Sequence, residues 1–85
     1  MSYVHNRLVI LIIKEIGFME REHYIVDGLA NENMKTQVKN ALESIQGVNK
    51  VCVDLARGSV EVMYNIPATN EEIKRCIENT GHHIL

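Results

Sequence analysis

The sequence has no tryptophan, a single proline and a single phenylalanine, and its two cysteines, Cys52 and Cys76, lie far apart with no C-x-x-C spacing. That usage excludes the disulfide framework of a secreted mini-protein and the ligand spacing of a zinc ribbon, and it suits a reducing cytoplasm. An excess of positive charge is missing too. Nine Lys plus Arg face eleven Asp plus Glu, for a formal net charge of -2, so no basic stripe is available to a phosphate backbone and nucleic acid is not an expected partner. No apolar run is long enough to cross a bilayer: Leu8–Ile13 is stopped by Lys14 and Glu15, far short of the roughly 20 residues required. The same run is followed by Lys14-Glu15-Ile16-Gly17 rather than a small-residue cleavage site, so it does not read as a secretory signal. A glycine-rich phosphate loop, a Ser/His nucleophile motif and paired carboxylates in a cleft are all missing, which points away from an enzyme.

What remains is a chain of 85 residues, enough for one domain with a thin stability margin. His23-Tyr24-Ile25-Val26 reads as a short strand ending in the turn signal Asp27-Gly28. Met34, Val38, Ala41, Leu42 and Ile45 then form one apolar helical stripe, with Lys35, Lys39, Asn40 and Glu43 opposite and Gly47 as the expected left-handed cap. Val51, Val53 and Leu55, then Val60, Val62 and Tyr64, alternate with polar neighbours around a turn at Gly58, the pattern of an antiparallel hairpin. Pro67 ends the run, Thr69 and Glu72 have capping-box spacing, and Ile73, Cys76, Ile77 and Thr80 make a second stripe closed by Gly81. His82 to Leu85 is left as a final short strand. Strand, helix, strand, strand, helix, strand is the split βαβ order, which predicts an α+β, ferredoxin-like βαββαβ sandwich: a four-stranded antiparallel sheet with both helices on one face.

Within that plan, Val26-Asp27-Gly28-Leu29-Ala30-Asn31-Glu32-Asn33-Met34, then Val38, Ala41-Leu42, Ile45 and Gly47-Val48, resembles the heavy-metal-associated domain of copper chaperones and of the N-terminal modules of metal-pumping ATPases. The family pattern is Gly-Met-Thr-Cys-x-x-Cys followed by Val, Ala-Leu, Leu and Gly-Val, and the register needs no gaps. The resemblance continues through Val51–Leu55, Gly58, Val60–Val62 and Ile73–Gly81, and so covers everything but the N-terminal stretch. It implies a cytoplasmic, non-enzymatic domain of metal-binding and metal-transport kinship. A protein partner, a metal-transporting ATPase among the candidates, would dock on the first-helix face and its preceding loop.

The family's two cysteines fall on Asn31 and Met34. Thiolates hold Cu(I) there because soft, anionic sulfur suits that ion and a helix N-terminus favours negative charge. A neutral amide and a neutral thioether replace them, so the site is degenerate and tight Cu(I) or Zn(II) binding is not expected. Asn31 has an ordinary role as a helix N-cap, Met34 as core filler, and Glu32 as a charge complementing the helix dipole. His82 follows Gly81 in the loop that in this family lies beside the metal loop. Met34 and His82, with Asn31 as a third family-site position, are therefore the candidate metal residues, for weak contact with Cu(I) or Ag(I). His83 should point the other way. The alternative function is a non-metal interaction or regulatory module on the same fold. Cys52, out of phase with Val51 and Val53, should face the open side of the sheet, and Cys76 should be a small buried hydrophobe, so the pair should not meet. The same topology carries acylphosphatases and RNA-recognition modules, but the first loop lacks an Arg-bearing phosphate cradle, and Tyr24 and Tyr64 are not set in basic, aromatic-rich strands.

Residues 1–20 have no place in this plan and are set apart from the domain at 21–85. Leu8–Ile13 has both helical and strand character. It is a candidate for self-association or for an added sheet strand, since an apolar run needs cover. A different reading places the natural start at Met19. Lys14-Glu15 can be encoded by a bacterial ribosome-binding sequence three codons upstream of Met19, and an intact native mass that includes Met1–Phe18 would end that reading.

Overall fold

Apolar and polar side chains alternate along three segments and recur at helical spacing along two, and the computed structural model, which describes residues 19–85, turns each into the corresponding element. In order these are β1 (Glu20–Asp27), α1 (Glu32–Glu43), β2 (Val48–Asp54), β3 (Ser59–Tyr64), α2 (Asn70–Asn79) and β4 (His83–Ile84). The sheet order is β2-β3-β1-β4, with every neighbouring pair antiparallel. This is the expected ferredoxin-like arrangement. The readings made for Leu8–Ile13, and for whether Met1–Phe18 precede a natural start at Met19, concern residues outside the described ones.

Side-chain alternation then sorts the sheet into two faces. Tyr24, Val26, Val51, Val60, Val62 and Tyr64 point at the helices, and together with Val38 and Leu42 of α1 and Ile73 and Ile77 of α2 they form the buried core. Val38, Leu42, Val60, Val62, Ile73 and Ile77 are wholly excluded from solvent. His23, Ile25, Lys50 and Cys52 lie on the open face and are exposed.

Four details differ from the sequence reading. β1 is longer than His23–Val26 and starts at Glu20, because Glu20, Arg21 and Glu22 pair with Tyr64, Met63 and Val62. β2 starts at Val48, which pairs with Tyr64, ahead of the alternating stretch that begins at Val51. α1 ends at Glu43 with Ser44 as its C-cap, so Gly47 is not its cap. Gly47 instead makes the turn into β2 with φ +103, where a Cβ would lie 2.7 Å from the amide nitrogen of Ala68 and against the carbonyl of Asn65. β4 is only two residues long, which leaves His82 in the turn before it. Gly81, in contrast, closes α2 as expected, at φ +98 with its amide bonded to the Glu78 carbonyl.

Candidate metal loop and its neighbours

The loop between β1 and α1 is shaped by Gly28, whose φ of +83 lies in the region side chains disfavour, and by Leu29, which is buried and anchors the loop to the core. The chain enters α1 through Asn31 in extended conformation. Its side-chain oxygen accepts a 2.9 Å hydrogen bond from the Met34 amide, while its carbonyl accepts from the Lys35 amide at 3.1 Å. Asn31 thus performs the N-cap role, satisfying one of the orphan donors of the first turn. Met34 is half-buried and packs against the core cluster. Glu32 is exposed in the first turn, with Lys35 one turn on at 4.0 Å.

His82 comes to this loop from the opposite end of the chain. Its Nδ1 lies 3.3 Å from the Asp27 carbonyl oxygen. A carbonyl can only accept, so this bond selects the tautomer protonated at Nδ1 and leaves Nε2 with its lone pair. Gly28 is the other neighbour, since a Cβ there would sit 3.5 Å from the same ring nitrogen. His83 is exposed and pairs with Asp27 through the backbone, so it does not share the half-buried position of His82. The Asp27 carbonyl is the contributor that sequence reasoning did not single out; only the β1–β4 register brings it to His82.

Cys52 is exposed on the open face opposite Glu61, whereas Cys76 sits on α2, and both are free thiols. Cys76 is half-buried rather than buried as read from the sequence. The inner stripe of α2 is carried by Ile73 and Ile77, and Cys76 is turned toward α1, lining a shallow depression of ≈ 380 Å³ with Ala41, Ile45 and Thr80. Burial, and then the Glu72 carboxylate, push its thiol pKa up, which favours the protonated, less nucleophilic form. Among the described residues, no three His, Cys, Asp or Glu side chains converge as a metal centre. No helix among them is long and apolar enough to cross a membrane.

A four-stranded sheet backed by two helices, with a glycine-turned loop leading into a capped first helix, is a small ferredoxin-like domain, a fold that many functions share. The heavy-metal-associated domain profile matches residues 23–83, and the chain belongs to that family. It is 31% identical over 68 residues to the copper chaperone CopZ of Staphylococcus aureus strain JH9, an alignment covering 79% of this chain and 100% of that one. A solved CopZ metallochaperone superposes with a TM-score of 0.76 at 30% identity, covering 78% of this chain and 100% of the other. A copper-binding domain from HMA7, a P-type ATPase, gives a TM-score of 0.70 at 28% identity, covering 76% and 92%. The fold and its non-catalytic character follow from this kinship, and the thiolate pair at the loop does not accompany them.

Proposed function

We propose that this chain is a heavy-metal-associated domain that has kept the metallochaperone fold and docking face while giving up tight metal binding. Any metal contact is weak and transient, limited to Cu(I) or Ag(I) held between the Met34 thioether and the free Nε2 of His82. The observation that carries this reading is the Asn31–Met34 cap bond: the position of one family cysteine is committed to holding the helix, and that of the other bears a neutral side chain packed on the core. Two neutral donors suit a soft monovalent ion but lack the anionic charge that makes the thiolate pair strong.

The partner surface in this reading is the loop from Gly28 to Asn31 and the exposed face of α1. Kinship with a copper-binding domain of a P-type ATPase supports a metal-transporting ATPase as the partner class. Amide NMR of this chain against a soluble ATPase metal-binding domain tests it, with and without Cu(I). Shifts confined to the loop and α1 support the docking role, and their strengthening by Cu(I) supports a share in metal traffic. Shifts at the loop that ignore Cu(I) favour the second reading, a purely protein-binding module, for which the occupied Asn31 oxygen is also the supporting observation. No shifts in either condition would exclude this partner class.

A further inference from the structure

We infer that the His82 ring is a clasp that ties the C-terminal strand to the β1–α1 loop, so that β4 and the loop open and close as one unit. β4 is two residues long and pairs with β1 at Val26–Ile84 and Asp27–His83, whereas β1 and β3 pair over six positions. The Leu85 amide donates to the Ile25 carbonyl at 2.9 Å. Hydrogen-bonded pairs alternate along an antiparallel ladder, so Asp27–His83 is the next such pair. A ladder this short lies at the low end of local stability, where one added bond changes how often the strand opens.

The ring supplies that bond. Its Nδ1 lies 3.3 Å from the Asp27 carbonyl, the oxygen the ladder itself uses, and a carbonyl has a second lone pair to receive it. The ring also lies over the bare side of Gly28, where a Cβ would sit 3.5 Å from Nδ1. One imidazole therefore meets both the last residue of β1 and the glycine that turns the loop, while its own backbone leads directly into β4. The loop's other fastenings are local: Leu29 is buried beneath it, and Asn31 caps the helix it enters. The clasp differs from these in coming from a distant part of the chain, and through it the pairing of β4 sets the shape of Gly28–Asn31. The functional meaning rests on the docking reading above: a partner that reshapes this loop is felt at Ile84 and Leu85 through His82.

NMR of the full chain, without metal or partner, tests the clasp. Long-range 1H–15N spectra of the neutral ring should place its proton on Nδ1. In His82→Ala the His83 and Leu85 amides should exchange about three- to tenfold faster, the worth of one hydrogen bond in a local opening, with the β2–β3 amides unchanged. Relaxation dispersion at Gly28–Ala30 and at Ile84–Leu85 in that variant should report one shared rate. His82→Asn should restore the parent exchange, because its amide nitrogen hangs where Nδ1 does, although it offers nothing in place of Nε2. The docking reading fails separately: an intact clasp in a chain that shows no shifts with a soluble ATPase metal-binding domain would support the coupled unit and withdraw that partner. A ring proton on Nε2, parent-like exchange in His82→Ala, unrelated rates in the two segments, or no rescue by His82→Asn would each overturn the clasp. Acceleration in His82→Ala that extends equally to β2–β3 would overturn it too, since the residue would then act on global stability.

Discussion

Asn31 and Met34, the positions to which the family resemblance assigns the two cysteines, are joined to each other by a hydrogen bond of 2.9 Å from the Met34 amide to the Asn31 side-chain oxygen. The junction between this loop and α1 is held together by its own helix cap. Asparagine is among the best N-caps, so this side chain stabilises the first turn of α1. Neither side chain brings the negative charge that a helix N-terminus favours.

Restoring the pair tests the alignment. The variant Asn31→Cys, Met34→Cys should stay folded and take up one Cu(I) per chain in anaerobic competition against a chelator that strips the parent protein. A folded double variant that loses the competition as readily as the parent would show that these positions do not correspond to the family's ligands.

Cap removal separates structure from metal chemistry. Asn31→Ala should lower stability by about 1 kcal/mol, read as a fall in Tm of roughly 4–8 °C for a domain of this size. Asn31→Asp should retain most of the parent stability. Weak Cu(I) contact should be unchanged in Asn31→Ala, and a loss of it would give the amide a ligand role that the cap geometry does not.

The core is small enough for one cavity to matter. Ile73 and Ile77 are both wholly buried on α2. Truncating either to alanine should cost about 2–5 kcal/mol, a large part of the 5–15 kcal/mol typical of a whole domain. Urea melts of Ile77→Ala should show a much earlier midpoint with a similar slope, and an unshifted midpoint would mean the α2 stripe is misplaced.

Among the described glycines, Gly47 leaves the least room for a side chain. With φ +103 and no space for a Cβ between Asn65 and Ala68, Gly47→Ala should destabilise by more than about 1 kcal/mol. The variant Gly81→Ala, also at positive φ but with open space around it, should cost less. Equal losses in the two would remove the steric part of this account.

Alkaline pH should weaken the fold through its buried tyrosines. Burial, then the Glu22 carboxylate, raise the Tyr24 pKa well above its ordinary value of 10.0, and Tyr64 is raised in the same direction for the same causes. The folded state keeps these protons where the unfolded chain has lost them. The tyrosines' contribution to stability is therefore constant below pH 10 and is lost above it, by about 1.4 kcal/mol per pH unit for a fully retained Tyr24 proton. Tyr24→Phe should flatten the fall, and denaturant midpoints across that range would show it; a midpoint rising with pH would contradict the assignment.

Element order, the two helical stripes, the hairpin and the family were legible because each rests on local periodicity or on a contiguous run of residues. The role of Asn31 as a cap was legible for the same reason, being local to residues 31–34. Pairing partners were not. β1 reaches back to Glu20 because Tyr64, Met63 and Val62 are there to receive it, and nothing within Glu20–Glu22 announces that. The contact of His82 with the Asp27 carbonyl likewise depends on the β1–β4 register, a relation between residues at opposite ends of the domain. Cys76 packs against the core as the stripe predicts but is half-buried, because helical spacing does not tell how far the facing helix closes over the flank of a stripe.

The most direct test is an anaerobic Cu(I) titration of the unmodified chain followed by amide NMR, with Zn(II) in parallel. Small, late-saturating shifts confined to Gly28–Met34 and His82 with Cu(I), and none with Zn(II), are the predicted result. Saturation at one equivalent that survives a strong Cu(I) chelator would contradict the claim that the fold has outlived its tight metal site.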